Sequence, residues 1–303
     1  MAITYNNLYL DTRKTLRQAG IEAHALEARE LICFAAKKNK EGFYRDLGLY
    51  ASEQVQSQVK ALVKRRLAGE PVAYLVGQWE FYGLPVELSR ETLIPRVDTE
   101  RLAERAIALA RAAGEGARVL DLCAGSGCVG LAVAAEAPNC RVVLVDWIED
   151  AVRICKQNVR LNNLNARVTA IRANALETPP AVLWDFDLIL CNPPYIPTED
   201  WEQLDASVRL WEPRLALDGG ADGLDFYRAI SDKWRQALRP FGTLLYEVGI
   251  GQAAAVQEIM EQNGFQKLCV YGDDQQIERV VEGVLGIEYL EKQQMEESTN
   301  GGR

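Results

Sequence analysis

The feature that most restricts the fold of this 303-residue chain is an alternation beginning at Arg118. Short apolar runs of strand length are each followed by a stretch of helical periodicity. Val119-Leu120-Asp121-Leu122 is the first run; residues 141–145, 167–171, 186–190 and 242–248 continue the series. Residues 128–137, 149–162, 224–238 and 252–262 carry apolar side chains at helical spacing. Strands buried on both faces and separated by helices build a parallel, doubly wound α/β sheet. Runs near 267–271 and 279–284 bring the expected strands to seven. Ligands of such sheets bind outside the carboxyl ends of the strands.

Three of those ends carry residues that a plain turn does not need. Cys123-Ala124-Gly125-Ser126-Gly127 is a tight turn after the first strand, and it opens a Gly-x-Gly-x-x-Gly that closes at Gly130. Asp146 ends the second strand, 19 residues after Gly127. Glycines let the backbone approach a ligand, and a carboxylate at that place accepts ribose hydroxyls. Together they point to a nucleoside cofactor; the glycine turn alone is a weak signal. Asp121 narrows the class. A carboxylate faces a pyrophosphate unfavourably, which argues against a nicotinamide dinucleotide. It suits a cation, and S-adenosylmethionine carries a sulfonium and an ammonium.

The third end is Asn192-Pro193-Pro194-Tyr195. A proline pair ends a strand ladder, and Pro193 holds Asn192 extended. The rigid loop offers the Asn192 amide oxygen and the Pro193 carbonyl as acceptors for an NH2 group, with Tyr195 as a stacking surface. An ordinary strand-ending turn is the plain alternative. The cofactor-type site upstream favours a loop that holds a planar, NH2-bearing group.

Composition bounds the rest. Apolar residues make up 48% and charged ones 25%, a globular balance over a length that fits about two domains. No apolar run is long enough to span a membrane and no signal peptide opens the chain, so a cytoplasmic protein is expected. The seven cysteines include no Cys-x-x-Cys pair and read as reduced thiols, with no metal site. The one histidine, His24, lies in a helical pattern and reads as structural. Residues 1–75 read as a small helical bundle with little strand character; Ser52 caps a helix that bears Lys60, Lys64, Arg65 and Arg66. That cluster is either a solvated face or a contact for an acidic partner. Residues 1–75 carry 12 Lys and Arg against 8 Asp and Glu, a net +4 that leaves −13 for the rest of the −9 total. So acidic a main domain argues against a broad nucleic-acid surface.

With these residues in place, the chain resembles the protein-(glutamine-N5) methyltransferases that modify peptide chain release factors. The stretches that carry the resemblance are Glu70-Pro71-Val72-Ala73-Tyr74-Leu75-x-Gly77, Leu93-Ile94-Pro95-Arg96-x-Asp98-Thr99-Glu100, Asp121 to Gly127, and Asn192 to Pro197. Glu212-Pro213-Arg214-Leu215-Ala216-Leu217-Asp218-Gly219-Gly220, followed by Asp222-Gly223-Leu224, also matches. The resemblance covers residues 70–285. It implies a seven-stranded methyltransferase-type sheet behind an N-terminal helical bundle. The implied layout is a substrate-recognition domain over 1–75, a β-hairpin linker over 76–97, an S-adenosylmethionine-dependent domain over 98–290 and a disordered tail over 291–303.

The resemblance also implies roles. Asp121, Cys123, Ala124, Gly125, Ser126, Gly127, Asp146 and Asn174 hold the cofactor, with Asn192 beside it. Asn192, Pro193, Pro194 and Tyr195 receive the glutamine of a Gly-Gly-Gln motif; Asn192, Pro193 and Tyr195 are the catalytic set. A monomer with release factors as protein substrate is expected, without direct nucleic-acid or membrane binding. Three departures stand out: Cys123-Ala124 in place of Gly-Thr, Val97 in place of a proline, and Ala173-Asn174-Ala175 where an acidic and an aromatic residue flank the adenine. Glutamine methylation of a ribosomal protein and adenine-N6 methylation use the same loop chemistry. A non-catalytic nucleoside-binding module is the rival outside enzymes.

Overall fold

A computed structural model describes residues 3–286; the tail expected over 291–303 lies outside the described residues. The chain divides into two compact units, one running to Gln78 with Asp205–Trp211, the other formed by Trp79–Leu204 and the chain from Glu212.

The first unit is helical, as its periodicity requires. Strand β1 (Ile3–Thr4) leads into α1 (Tyr5–Gln18), then α2 (His24–Ala36), α3 (Lys40–Arg45), β2 (Tyr50–Ala51), α4 (Glu53–Leu67) and α5 (Val72–Val76). The side chains of Thr4, Asn39 and Ser52 accept backbone N–H groups at the starts of α1, α3 and α4, satisfying donors a helix leaves open. Leu16, Leu31, Ile32, Val59 and Leu62 form its buried interior. The antiparallel β1–β2 pair was not expected; each strand is two residues, too short to show a period.

The second unit starts with a two-stranded sheet, β3 (Gln78–Phe81) and β4 (Leu84–Glu87). Its turn is Tyr82-Gly83, both left-handed at φ 50° and 74°, as a two-residue hairpin turn demands. Buried Asn158 explains why this hairpin is fixed: its amide oxygen accepts from Glu87 N at 2.6 Å, and its NH2 donates to Glu87 O and to Ser126 O.

After α6 (Glu100–Ala112) come β5 (Arg118–Leu122), α7 (Cys128–Glu136), β6 (Arg141–Asp146), α8 (Glu149–Leu161), β7 (Val168–Arg172) and β8 (Phe186–Cys191). The short α9 (Ala206–Arg209) precedes α10 (Asp225–Lys233), β9 (Leu238–Glu247), α11 (Ala253–Gln262), β10 (Phe265–Gly272) and β11 (Glu278–Leu285). The sheet has seven strands in the order β10-β11-β9-β8-β5-β6-β7. From β5 the chain winds outward to β7, then returns to place β8 on the other side of β5. The order therefore reverses between β5 and β8, and a crevice opens at their carboxyl ends. Strand β9 begins at Leu238, earlier than the expected 242; Pro240 and Gly242 hide its first half, and the register slips there between Phe186 and Leu188. Below the crevice Tyr227, Trp234 and Tyr246 are fully buried, with Tyr227 Oη donating to Glu247 O and Trp234 Nε1 to Ala175 O.

Candidate active site

The crevice holds a cavity of about 280 Å³ lined from the ends of β5, β6, β7 and β8. Its floor is the glycine turn. Cys123, Gly125 and Gly127 all take positive φ, at 56°, 55° and 80°. Each glycine has its own reason. A Cβ on Gly125 would meet nothing within 4 Å, so its open side is room for a ligand. A Cβ on Gly127 would meet Leu144 at 2.8 Å, and one on Gly130 would meet Leu144 at 2.3 Å and Asp121 Oδ2 at 2.9 Å. Those two let α7 lie against the sheet. Cys123 sits in a glycine-type conformation without being glycine, so the departure there strains the backbone, by about 1–2 kcal/mol.

Two carboxylates face this turn. Asp146 Oδ2 accepts Gly125 N at 2.9 Å and Oδ1 accepts Ile148 N at 2.9 Å, so it braces the turn and keeps one lone pair per oxygen. Burial raises its pKa against the backbone N–H groups of Ile148, Gly125 and Trp147. Asp121 is 2% exposed; its Oδ2 accepts Gly130 N at 2.8 Å. Burial pushes Asp121 up to about 7, opposed by that hydrogen bond and helped by the negative Asp146. A cation placed beside the pair would relieve both. Cys128, Cys155 and Cys191 are held as neutral thiols by burial, which removes them as nucleophiles.

One wall is apolar and planar. Trp147 lines it, half exposed, with the Arg172 guanidinium stacked 4.7 Å from its ring centroid. Ile148, Ala173 and Leu176 continue the wall. Sequence reasoning looked for an aromatic after β7 and missed Trp147, whose position beside Asp146 was the available signal. Asn174 also lines the cavity, but its side chain is engaged locally, accepting Leu176 N and donating to Glu177 Oε1.

The loop after β8 is held from beneath. Ile196 N donates to Leu217 O, Gly219 N to Ile196 O and Thr198 N to Gly220 O, a short ladder that clamps Asn192-Pro193-Pro194-Tyr195 to the 217–220 segment. A Cβ on Gly219 would meet Pro194 O and Tyr195 Cα at 2.8 Å, and one on Gly223 would meet Tyr195 O at 2.3 Å. Gln252 Nε2 donates to Tyr195 O at 2.9 Å. Glu212 accepts Ile94 N and an Arg96 guanidinium N–H, joining the two matched stretches that flank the cavity. Asn192 and Pro194 line the cavity; Pro193 and Tyr195 do not, and the Tyr195 ring packs against the core. Asn192 Nδ2 donates to Thr99 Oγ1 at 3.3 Å, which leaves Oδ1 on the other side of the amide as its acceptor. Thr99 stands at the N-cap of α6, yet its hydroxyl caps nothing. His24, at the start of α2, lies in the first unit.

Comparison with known proteins places this arrangement. The family model for the PrmC N-terminal domain matches residues 7–77, and that for the methyltransferase small domain matches residues 103–210. The release factor glutamine methyltransferase of Geobacter sulfurreducens is 39% identical over 275 residues, 91% of this chain and 94% of that protein. The chain belongs to the release factor glutamine methyltransferase family. A second member, from Thermodesulfovibrio yellowstonii, is 36% identical over 84% of this chain and 90% of its own length. A crystal structure of a methyltransferase from Pyrococcus furiosus shares the fold, with a TM-score of 0.50 at 17% identity over 76% of this chain and 99% of that one. Among the described residues no helix is long and apolar enough to cross a membrane, and no cluster of His, Cys, Asp or Glu is placed to hold a metal ion.

Proposed function

We propose that this chain methylates the side-chain amide nitrogen (N5) of the glutamine in the Gly-Gly-Gln motif of peptide chain release factors, with S-adenosylmethionine as donor. The observation that carries the reading is one cavity in which an open, carboxylate-braced glycine turn faces an asparagine whose NH2 is already engaged.

The residues present fit the cofactor. The space beside Gly125 is a cradle that any side chain would fill. Asp146 keeps lone pairs for ribose hydroxyls, and Cys123, Ala124 and Ser126 would bring backbone close to the methionine part, on a turn that Gly127 closes. Trp147, with Ile148 and Leu176, would supply the aromatic wall that 173–175 lack, and Asn174 lines the same cavity. Asp121 answers the positive charge. Bound there, S-adenosylmethionine supplies an electrophilic methyl on a sulfonium.

An amide nitrogen is a poor nucleophile because its lone pair is delocalised into the carbonyl. Asn192 Oδ1 and the Pro193 carbonyl, accepting its two hydrogens, would fix the nitrogen and favour its pyramidal form. The gain is chiefly positioning, which needs neither a general base nor a cysteine. Tyr195 supports the loop from the core side. The helical domain, residues 1–75, recognises the protein substrate; the enzyme acts as a cytoplasmic monomer and does not bind nucleic acid. The test is incubation with labelled S-adenosylmethionine and purified release factors, then peptide mass mapping. Label on the Gly-Gly-Gln glutamine is expected; label only on a ribosomal protein or on adenine would overturn the proposal.

A further inference from the structure

We infer that Glu247 is a positioning residue for the methyl-accepting amide: together with Thr99 it holds the NH2 of Asn192, so that Asn192 Oδ1 faces the substrate nitrogen. The inference rests on the role proposed above for Asn192. Strands β8 and β9 run side by side with Cys191 opposite Tyr246, which puts Asn192 and Glu247 next to each other where the strands end. Glu247 is 4% exposed, and its carboxylate lies beside the Thr99 hydroxyl and the Asn192 amide. Its Oε2 has no hydrogen-bond partner.

A buried carboxylate with an unpartnered oxygen is costly, and an apolar side chain of similar volume would pack there at less cost. Its cationic neighbour Arg279 is shared with Asp98 at 2.7 Å and Asp273 at 3.0 Å. Packing and ion pairing therefore give little reason for a carboxylate at this place. Orientation gives one. An asparagine amide is nearly symmetric in shape and can present either end to a ligand. A hydroxyl oxygen that accepts from the NH2, with a carboxylate beside that same end, fixes which end faces the cavity. A negative carboxylate beside that NH2 also polarises the amide, so that Oδ1 becomes a stronger acceptor.

Burial pushes Glu247 up to about 7 against the neighbouring Thr99 hydroxyl, the Arg279 charge and the Asn192 amide, so its charge changes across neutral pH. The other groups facing it are the Asp98–Arg279 ion pair, Tyr195, Tyr227 and Cys128. Burial raises the last three well clear of neutral pH, leaving Glu247 as the member of this group that titrates there.

The experiment is single-turnover methylation of purified release factor by the full chain at saturating S-adenosylmethionine, from pH 6 to 8.5. For the parent, with Asp121 held ionised by the bound cationic cofactor, a rate that falls below a midpoint near 7 is expected. Glu247→Gln should be about tenfold slower at pH 8 and lack that limb, while binding S-adenosylmethionine within about twofold of the parent by calorimetry. Adding Glu247→Gln to Asn192→Ala should cost nothing further. Thr99→Val, which removes a hydroxyl that favours the charged carboxylate, should move the midpoint to higher pH. It reports independently should Glu247→Gln fail to fold. A parental rate or a retained limb in Glu247→Gln, multiplicative loss in the double variant, or an unmoved midpoint in Thr99→Val would each overturn the assignment. If Asn192→Ala is slow while Glu247→Gln is parental, only this inference falls. A parental rate in Asn192→Ala removes the Asn192 reading and this inference together.

Discussion

At Cys123 a side chain occupies a left-handed backbone position, φ 56°, beside two glycines that take the same region freely. Cys123→Gly removes that strain but loosens the unfolded chain, so a net gain of about 0.5–1 kcal/mol is expected, read as a rise in melting temperature. An unchanged or lower melting temperature would mean that the cysteine's contacts outweigh the strain. Asp146 makes the opposite kind of contribution. Asp146→Ala should weaken S-adenosylmethionine binding by about 1.5–3 kcal/mol, the range for hydrogen bonds to a charged group. Part of that loss now has a second source, because the carboxylate also holds Gly125 N and Ile148 N. Calorimetric titration of Asp146→Asn, which keeps an acceptor but not the charge, separates the two. Single residues with a motif around them, such as Asp146 and Asn192, were legible in the sequence. Glu247 and Asn158 were not, since each acts through a partner 71 residues away or on a neighbouring strand, and nothing local marks it; Thr99 lies in a matched stretch, but its tie to Asn192, 93 residues on, was hidden.

Among elements, periodicity was readable wherever an element was long enough to repeat. Strand β6 and helix α8 end within a residue of their expected limits, while β1, β2 and α5 are too short to announce themselves. The matched 212–224 stretch had no role in the sequence reading because its partner is a backbone ladder, which any side chain can form. The structure gives it one: it is the clamp beneath the Asn192–Tyr195 loop, and its glycines are where the two segments touch. Gly219→Ala tests this. The new Cβ would press on Pro194 O, Tyr195 Cα and Gly223 O, all backbone atoms that cannot swing aside. Overpacking of this kind costs about 1–3 kcal/mol. Turnover should fall at least tenfold as Asn192 shifts, whereas the cofactor side, held by β5 and β6, should bind as before. Loss of cofactor affinity with turnover per bound enzyme intact would contradict the clamp.

For the whole molecule, charge is the property that the sequence stated and the structure distributes. Asp121 has a folded-state pKa of about 7, raised by burial above an unfolded value near 4, so folding takes up a proton between the two. Its contribution to stability is therefore greatest at low pH, declines as pH rises through that window and levels off above it. The acidic excess of the main domain pushes the same way, so the comparison must be between variants: the melting temperature of Asp121→Asn should fall less between pH 5 and 8 than that of the parent, and parallel curves would refute the assignment. The helical unit carries the opposite sign. Of its basic cluster, Arg65 is paired with Glu70 and Arg66 with Glu27, so these two serve the fold. Lys60 and Lys64 remain exposed along a shallow apolar groove on α4 that ends at Leu67. Truncation at Gly77 is a blunt test of substrate recognition, because Asp205–Trp211 belongs to the same compact unit and would lose its packing. Reversing Lys60 and Lys64 to Glu leaves the fold in place. If this face steers an acidic region of the release factor, the double reversal should raise KM for the intact factor about tenfold, or about 1.4 kcal/mol. It should leave methylation of a short Gly-Gly-Gln peptide and the affinity for S-adenosylmethionine unchanged. The difference should shrink as salt is raised toward 0.5 M, where exposed charges are screened over a few ångströms. An unchanged KM at low salt would return the cluster to a solvated face and leave recognition to another part of the unit.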